Sequence, residues 1–116
     1  MEDVIDLKDV MERVQGDKEL LCDLFDIFVE DFVGKRDQLN AAFERGDIKQ
    51  FQMMSHALKG ASGNISARQM HLNCIDLDAM GKKGDISGAK SMLALLDRQF
   101  ESLKAEMARL KKELVG

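Results

Sequence analysis

Ser55-His56-Ala57-Leu58-Lys59-Gly60-Ala61-Ser62-Gly63-Asn64-Ile65 is the stretch whose reading decides the fold. With Phe51 and Met54 ahead of it, Leu58, Ala61 and Ile65 recur at steps of three and four residues, the period of one face of an α-helix. The opposite face carries Lys49, Gln52, Met53, His56, Lys59, Gly60 and Gly63. A histidine therefore points away from the apolar stripe. Lys59 and Gly60 occupy the two positions that lie beside it on a helix surface. Glycine inside a helix costs about 0.5–1 kcal/mol relative to alanine. Two glycines on the histidine's own face read as clearance for something bulky.

Working outward, the same period continues in both directions. Val4, Ile5, Leu7, Val10, Met11 and Val14 predict a short helix over about 4–14. Leu21, Leu24, Phe25, Phe28, Phe32, Leu39 and Phe43 line one side of a long helix over about 17–45, with Gly34 unexplained in its interior. The histidine helix covers about 47–64, and Asp47 with Gln50 forms a capping-box pattern at its start. Its end falls at Gly63-Asn64. Ser66 with Gln69 predicts a second capping box, and Ile65 with Met70 a hydrophobic staple, at the start of a helix over about 67–82. That helix buries Met70, Cys74 and Leu77, and Lys82-Lys83 suit the negative end of its dipole. Finally Ile86, Ala89, Leu93, Leu96, Phe100, Leu103, Met107, Leu110 and Leu114 step by three and four over about 86–114. This heptad seam suits shallow packing in a bundle and would also suit a coiled-coil dimer.

Three joints, Gly16-Asp17, Gly46-Asp47 and Gly84-Asp85, separate these segments. Glycine takes the left-handed conformation that closes a helix, and aspartate accepts from the free amides that open the next. Connections this short place successive helices side by side and antiparallel. The expected fold is all-α: an antiparallel up-down four-helix bundle with a short extra N-terminal helix, as one domain over 1–116.

The composition agrees. The 116 residues include no proline, tryptophan or tyrosine, and the net charge is −4 with both signs interspersed. No basic stripe points to nucleic acid. No apolar run nears the roughly 18 residues of a membrane span, and the start is acidic rather than signal-like. Cys22 and Cys74 lack CxxC spacing and read as reduced thiols of a cytoplasmic protein. His56 and His71 show no HxxxH or HExxH spacing, so no metal site is expected. His71 lacks a Lys-Gly companion and reads as a surface or half-buried histidine. Met1, Met11, Met54, Met70, Met80, Met92 and Met107 are spaced as core filling, whereas Met53 falls on the histidine face. Glu30-Asp31 reads as solvated surface. No Walker-type loop and no GxGxxG after a strand is present. Met1 and Gly116 at the two ends favour a free-standing chain over an excised tail of a hybrid sensor kinase.

His56-Ala57-Leu58-Lys59-Gly60-Ala61-Ser62, followed by Asn64-Ile65-Ser66-Ala67, resembles the signature of histidine-containing phosphotransfer (HPt) domains. The likeness is strongest over about 51–80. Two positions depart from it: Ser66 stands where the family usually has glycine, and Ser55 where it favours alanine. The resemblance implies a reversible phosphoryl carrier, with His56 the phosphoacceptor between receiver-domain aspartates. Its partners would be receiver domains of response regulators or of a hybrid sensor histidine kinase. The receiver would supply the aspartate and Mg²⁺, so no cofactor is expected on this chain.

The chemistry asks for three things. The imidazole must be exposed for in-line approach, its reacting nitrogen must carry no proton, as in neutral imidazole, and a cation must meet the phosphoryl oxygens. Lys59 supplies that charge, and Gly60 supplies clearance. Lys49, Gln52, Met53 and Gly63 form the expected partner surface, with Met53 and the Lys49 stem as adaptable apolar contact. The chain would be a monomeric carrier rather than an autonomous enzyme. The competing readings are a non-catalytic helical interaction module, including a coiled-coil dimer through the last helix, and an HPt-like domain that binds a receiver as an inhibitor.

Overall fold

Aspartate side chains open the first three helices. In the computed structural model, which describes residues 4–115, Asp6 accepts from the Asp9 amide, Asp17 from that of Leu20 and Asp47 from that of Gln50. Each satisfies one of the amides left free at a helix start. The helices are α1 (Leu7–Arg13), α2 (Lys18–Arg45), α3 (Ile48–Asn64), α4 (Arg68–Lys83) and α5 (Ala89–Val115). Gly16, Gly46 and Gly84 all adopt positive φ, as the joints require.

Four details differ from expectation. α1 begins only at Leu7, because Asp6 caps it instead of belonging to it. At the third joint Asp85 caps no helix. Its carboxylate accepts from the amide and hydroxyl of Ser87, a local turn that delays α5 to Ala89. The box at Asp47 is half formed, since the Gln50 side chain donates to Gln38 on α2 and does not reach back.

The fourth difference is the α3–α4 turn. Ser66 does not cap α4; Ala67 occupies that position without a side-chain bond. Ser66 instead takes the left-handed conformation, with φ +57°. Its amide donates to the Gly63 carbonyl while that of Ala67 donates to Ser62, the double bond of a Schellman closure. α3 ends at Asn64, as expected, but its left-handed closing residue is Ser66 and not a glycine. The left-handed backbone is why glycine suits this position. Serine is held there by its hydroxyl, which donates to Asp9 of α1 at 2.6 Å.

α2 lies beside α3 and α5, and α4 packs against α3 and α5. Arg36 bonds Asp97 with two nitrogens, and Lys111 reaches Asp26. These pairs fix α2 and α5 as antiparallel along the 45 Å long axis. α1 secures the α3–α4 turn: the Asp6 amide donates to the Ser66 carbonyl, and Arg68 donates to the Asp6 carboxylate. The result is an antiparallel four-helix bundle with a short N-terminal helix, as expected.

The core follows the apolar stripes. Phe25, Phe32, Phe51, Leu21, Leu39, Leu58, Leu77, Leu96 and Leu103 are fully buried, each side chain contributing roughly 1.5–3 kcal/mol by leaving water. Phe32 and Phe100 stack with centroids 4.0 Å apart and join α2 to α5. Leu93, Leu96, Phe100, Leu103, Met107 and Leu110 are all buried within this one chain. The heptad seam is thus the bundle's own inner face and is not free for a coiled-coil dimer. Met70 and Met107 are buried, and Met11, Met54, Met80 and Met92 pack partly buried against the core. Met53 is exposed; Met1 and Gly116 lie outside the described residues. Gly34 sits on an exposed, unbroken stretch of α2 with open space around it. Cys22 and Cys74 are free thiols, and burial pushes the Cys74 thiol up to about 12. Among the described residues no helix is long and apolar enough to cross a membrane.

Candidate functional site

α3 and α4 approach closely because each offers a glycine to the other. A side chain at Gly81 would meet Cβ and Cα of Gln52 at 2.7 and 2.8 Å, and one at Gly63 would meet the His71 ring at 3.1 Å. The His71 ring lies over Gly63, and its Nδ1 is 2.7 Å from the Lys59 carbonyl oxygen. A carbonyl only accepts, so Nδ1 carries the proton there. His71 is half-buried and fastens α4 to α3.

This close contact brings Asp78 of α4 under His56. Asp78 is buried, yet among the described residues it is the most heavily bonded acid. Its Oδ1 accepts from the Gln52 side chain at 3.0 Å. Its Oδ2 lies 2.9 Å from Lys59 Nζ and 3.2 Å from Lys82 Nζ. Burial works to raise the Asp78 pKa, but the hydrogen bonds from Lys59, Gln52 and Lys82 outweigh it and hold the carboxyl well below the usual carboxylate range. The group is a charged anchor.

His56 Nδ1 stands 3.6 Å from the same Oδ2, with the imidazole 60% exposed. One ring edge faces the carboxylate, and Nε2 lies on the other edge. A carboxylate beside Nδ1 favours the proton on that nitrogen, which leaves the lone pair on Nε2. The arrangement offers an exposed imidazole, oriented from behind by an anion whose same oxygen holds two ammonium groups.

The expected site residues divide into two groups. His56, Lys59 and Gly60 stand together, and Gly60 has open space where a side chain would be. Lys49 and Met53 are exposed on the same helix. Gln52 and Gly63, expected on the partner surface, turn inward: Gln52 donates to Asp78, and Gly63 receives the His71 ring. Lys59 is not a free ammonium, because it is bonded to Asp78. Ser55 and Ser62 are buried, and their hydroxyls donate to the Phe51 and Leu58 carbonyls one turn back. Sequence reasoning missed Asp78 and gave Lys82 only a dipole role. The one local signal was the i, i+4 pairing of Asp78 with Lys82. Among the described residues no group of three metal-ligating side chains is gathered.

Comparison with known proteins bears on the family and the fold. The sequence matches the Hpt domain family over residues 23–113, from within α2 to near the end of α5. The fold is similar to the crystal structure of histidine-containing phosphotransfer protein B from Pseudomonas aeruginosa PAO1. That match has a TM-score of 0.89 at 20% identity and covers 97% of this chain and 98% of the other. No curated protein matches. An exposed histidine on a helical bundle, a flanking lysine and a family match across most of the chain converge: this protein belongs to the Hpt domain family, the histidine phosphotransfer carriers of phosphorelay signalling.

Proposed function

We propose that His56 is the phosphoryl-carrying residue, taking the group from a receiver-domain aspartyl phosphate and returning it to another. The observation that carries this reading is the exposed imidazole whose Nδ1 is turned to the buried, ionised Asp78. Nε2 attacks phosphorus in line, the N–P bond forms, and the acyl phosphate P–O bond breaks to leave the receiver's carboxylate. The positive charge that appears on the ring sits against Asp78. Lys59 turns from Asp78 towards the phosphoryl oxygens. Each step reverses without other chemistry, as a carrier requires.

The partners in this reading are receiver domains of response regulators or of a hybrid sensor histidine kinase, each bringing its own aspartate and Mg²⁺. Lys49, Met53 and Gly60 offer them an exposed, adaptable border around His56. Burial of the α5 seam supports a monomeric carrier. We place it in the cytoplasm and assign it no kinase activity of its own.

The test is transfer of ³²P from a phosphorylated receiver domain to this chain, wild type beside His56→Gln. Acid-labile, base-stable label on the wild type and none on a folded His56→Gln chain is the expected result. Label on both, or none on the wild type from several receivers, overturns the assignment.

A further inference from the structure

We infer that Lys82 is a second phosphoryl-binding cation of the His56 site, brought from α4 to stand beside Lys59 of α3. This rests on the role proposed for His56. Lys59 Nζ and Lys82 Nζ lie 2.9 and 3.2 Å from one oxygen, Asp78 Oδ2, and His56 Nδ1 lies 3.6 Å from it. Two ammonium groups and the imidazole are therefore gathered around a single carboxylate oxygen. The Lys82 side chain is 59% exposed, so it can leave Asp78 for an incoming group at small cost.

Charge decides why a second lysine is needed. Asp78 neutralises one lysine. Before transfer, with Lys59 alone, the site would hold one cation and one anion and offer no surplus charge to an incoming phosphoryl group. After transfer, with the ring cation against Asp78, a single lysine would face a doubly charged group. Lys82 supplies the surplus. Gln52 donates to Oδ1 and keeps the carboxylate fixed while the lysines exchange partners. Lys83 is next in sequence at the same helix end, but it is not among the groups bonded to Asp78. It serves as the matched control.

The experiment uses phosphoramidate as a small donor, so that no receiver surface enters the readout. Nε2 forms a bond to phosphorus as the donor's P–N bond breaks. Ammonia leaves, and the ring keeps its Nδ1 proton. Phosphorylation rates and the ³¹P titration of the phosphohistidine are measured for the full chain and for Lys82→Gln, Lys82→Arg and Lys83→Gln. Lys82→Gln is expected to react roughly five- to tenfold more slowly. It should also raise the midpoint of the phosphoryl titration, since a lost neighbouring cation favours the protonated form. Lys82→Arg restores both, and Lys83→Gln, with the same change of net charge, leaves both at wild type. If Lys82→Gln and Lys83→Gln coincide in rate and midpoint while the wild type is labelled normally, the inference is overturned alone. A wild type that takes no label from either donor or receiver removes the reading of His56 and this inference with it.

Discussion

Nδ1 of His56 lies 3.6 Å from Oδ2 of Asp78, an exposed imidazole set over a buried carboxylate. The pairing ties the reactive face of α3 to the interior of α4. Asp78 has lost its water and gained hydrogen bonds from Lys59, Gln52 and Lys82. Asp78→Asn should cost about 1–2 kcal/mol at neutral pH, because its two lysines can turn to solvent instead of being left buried.

The same carboxylate shapes the acid limb of stability. An unfolded aspartate takes up its proton near about pH 3.9, while folded Asp78 stays ionised to lower pH. Below that pH the unfolded chain binds more protons and stability falls. The Asp78 contribution is thus complete above the unfolded value and is lost towards the folded one. Urea unfolding between about pH 2.5 and 6 should show a shallower slope for Asp78→Asn than for wild type. Asp6, Asp9 and Asp85, whose pKa values are also lowered, remain in both chains. Parallel curves would contradict the ionised anchor.

Lys59→Ala removes the cation nearest to Asp78 that also flanks His56. Transfer from a receiver should slow by about ten- to a hundredfold, while the helical circular dichroism is retained. An unchanged rate would assign Lys59 to helix packing alone.

Ser66 separates backbone strain from hydrogen bonding. Ser66→Ala keeps the left-handed backbone and loses the bond to Asp9. Ser66→Gly loses the same bond but relieves the strain, worth roughly 1 kcal/mol. The glycine variant should therefore be the more stable by about that amount in chemical denaturation. Equal stabilities would mean that φ +57° costs a residue with a Cβ nothing here.

Three glycines in helix interiors should respond differently to alanine. Gly34→Ala and Gly60→Ala enter open space and should each stabilise by about 0.5–1 kcal/mol. Only Gly60→Ala should also slow receiver transfer, since it adds a methyl group beside His56. Gly81→Ala meets the Gln52 backbone and should destabilise by about 1–3 kcal/mol. Thermal unfolding alongside transfer assays distinguishes the three.

Leu103 tests the seam of α5. It is buried within the chain, so Leu103→Ala should cost about 2–5 kcal/mol. Wild-type unfolding should have a midpoint independent of protein concentration. A concentration-dependent midpoint would point to stability shared between copies.

The sequence by itself determined the helices and the histidine face. Apolar steps of three and four residues, the glycines that close α2 and α4 and the aspartates that open α2 and α3 are local signals, and they act within one or two turns. They located His56, Lys59 and Gly60 together because one helix carries all three. Only the tertiary structure decided what stands behind His56. Asp78 and Lys82 belong to another helix, and no short pattern links them to it. They arrive through the close α3–α4 contact at Gly81 and Gly63, and that contact also turns Gln52 inward. Ser66 shows the same limit. Serine near a helix start reads locally as a cap, but the Schellman closure and the Asp9 carboxylate of α1 place it in the left-handed region. Periodicity reports which face of a helix is apolar; which charged groups meet across two faces depends on how closely the backbones approach.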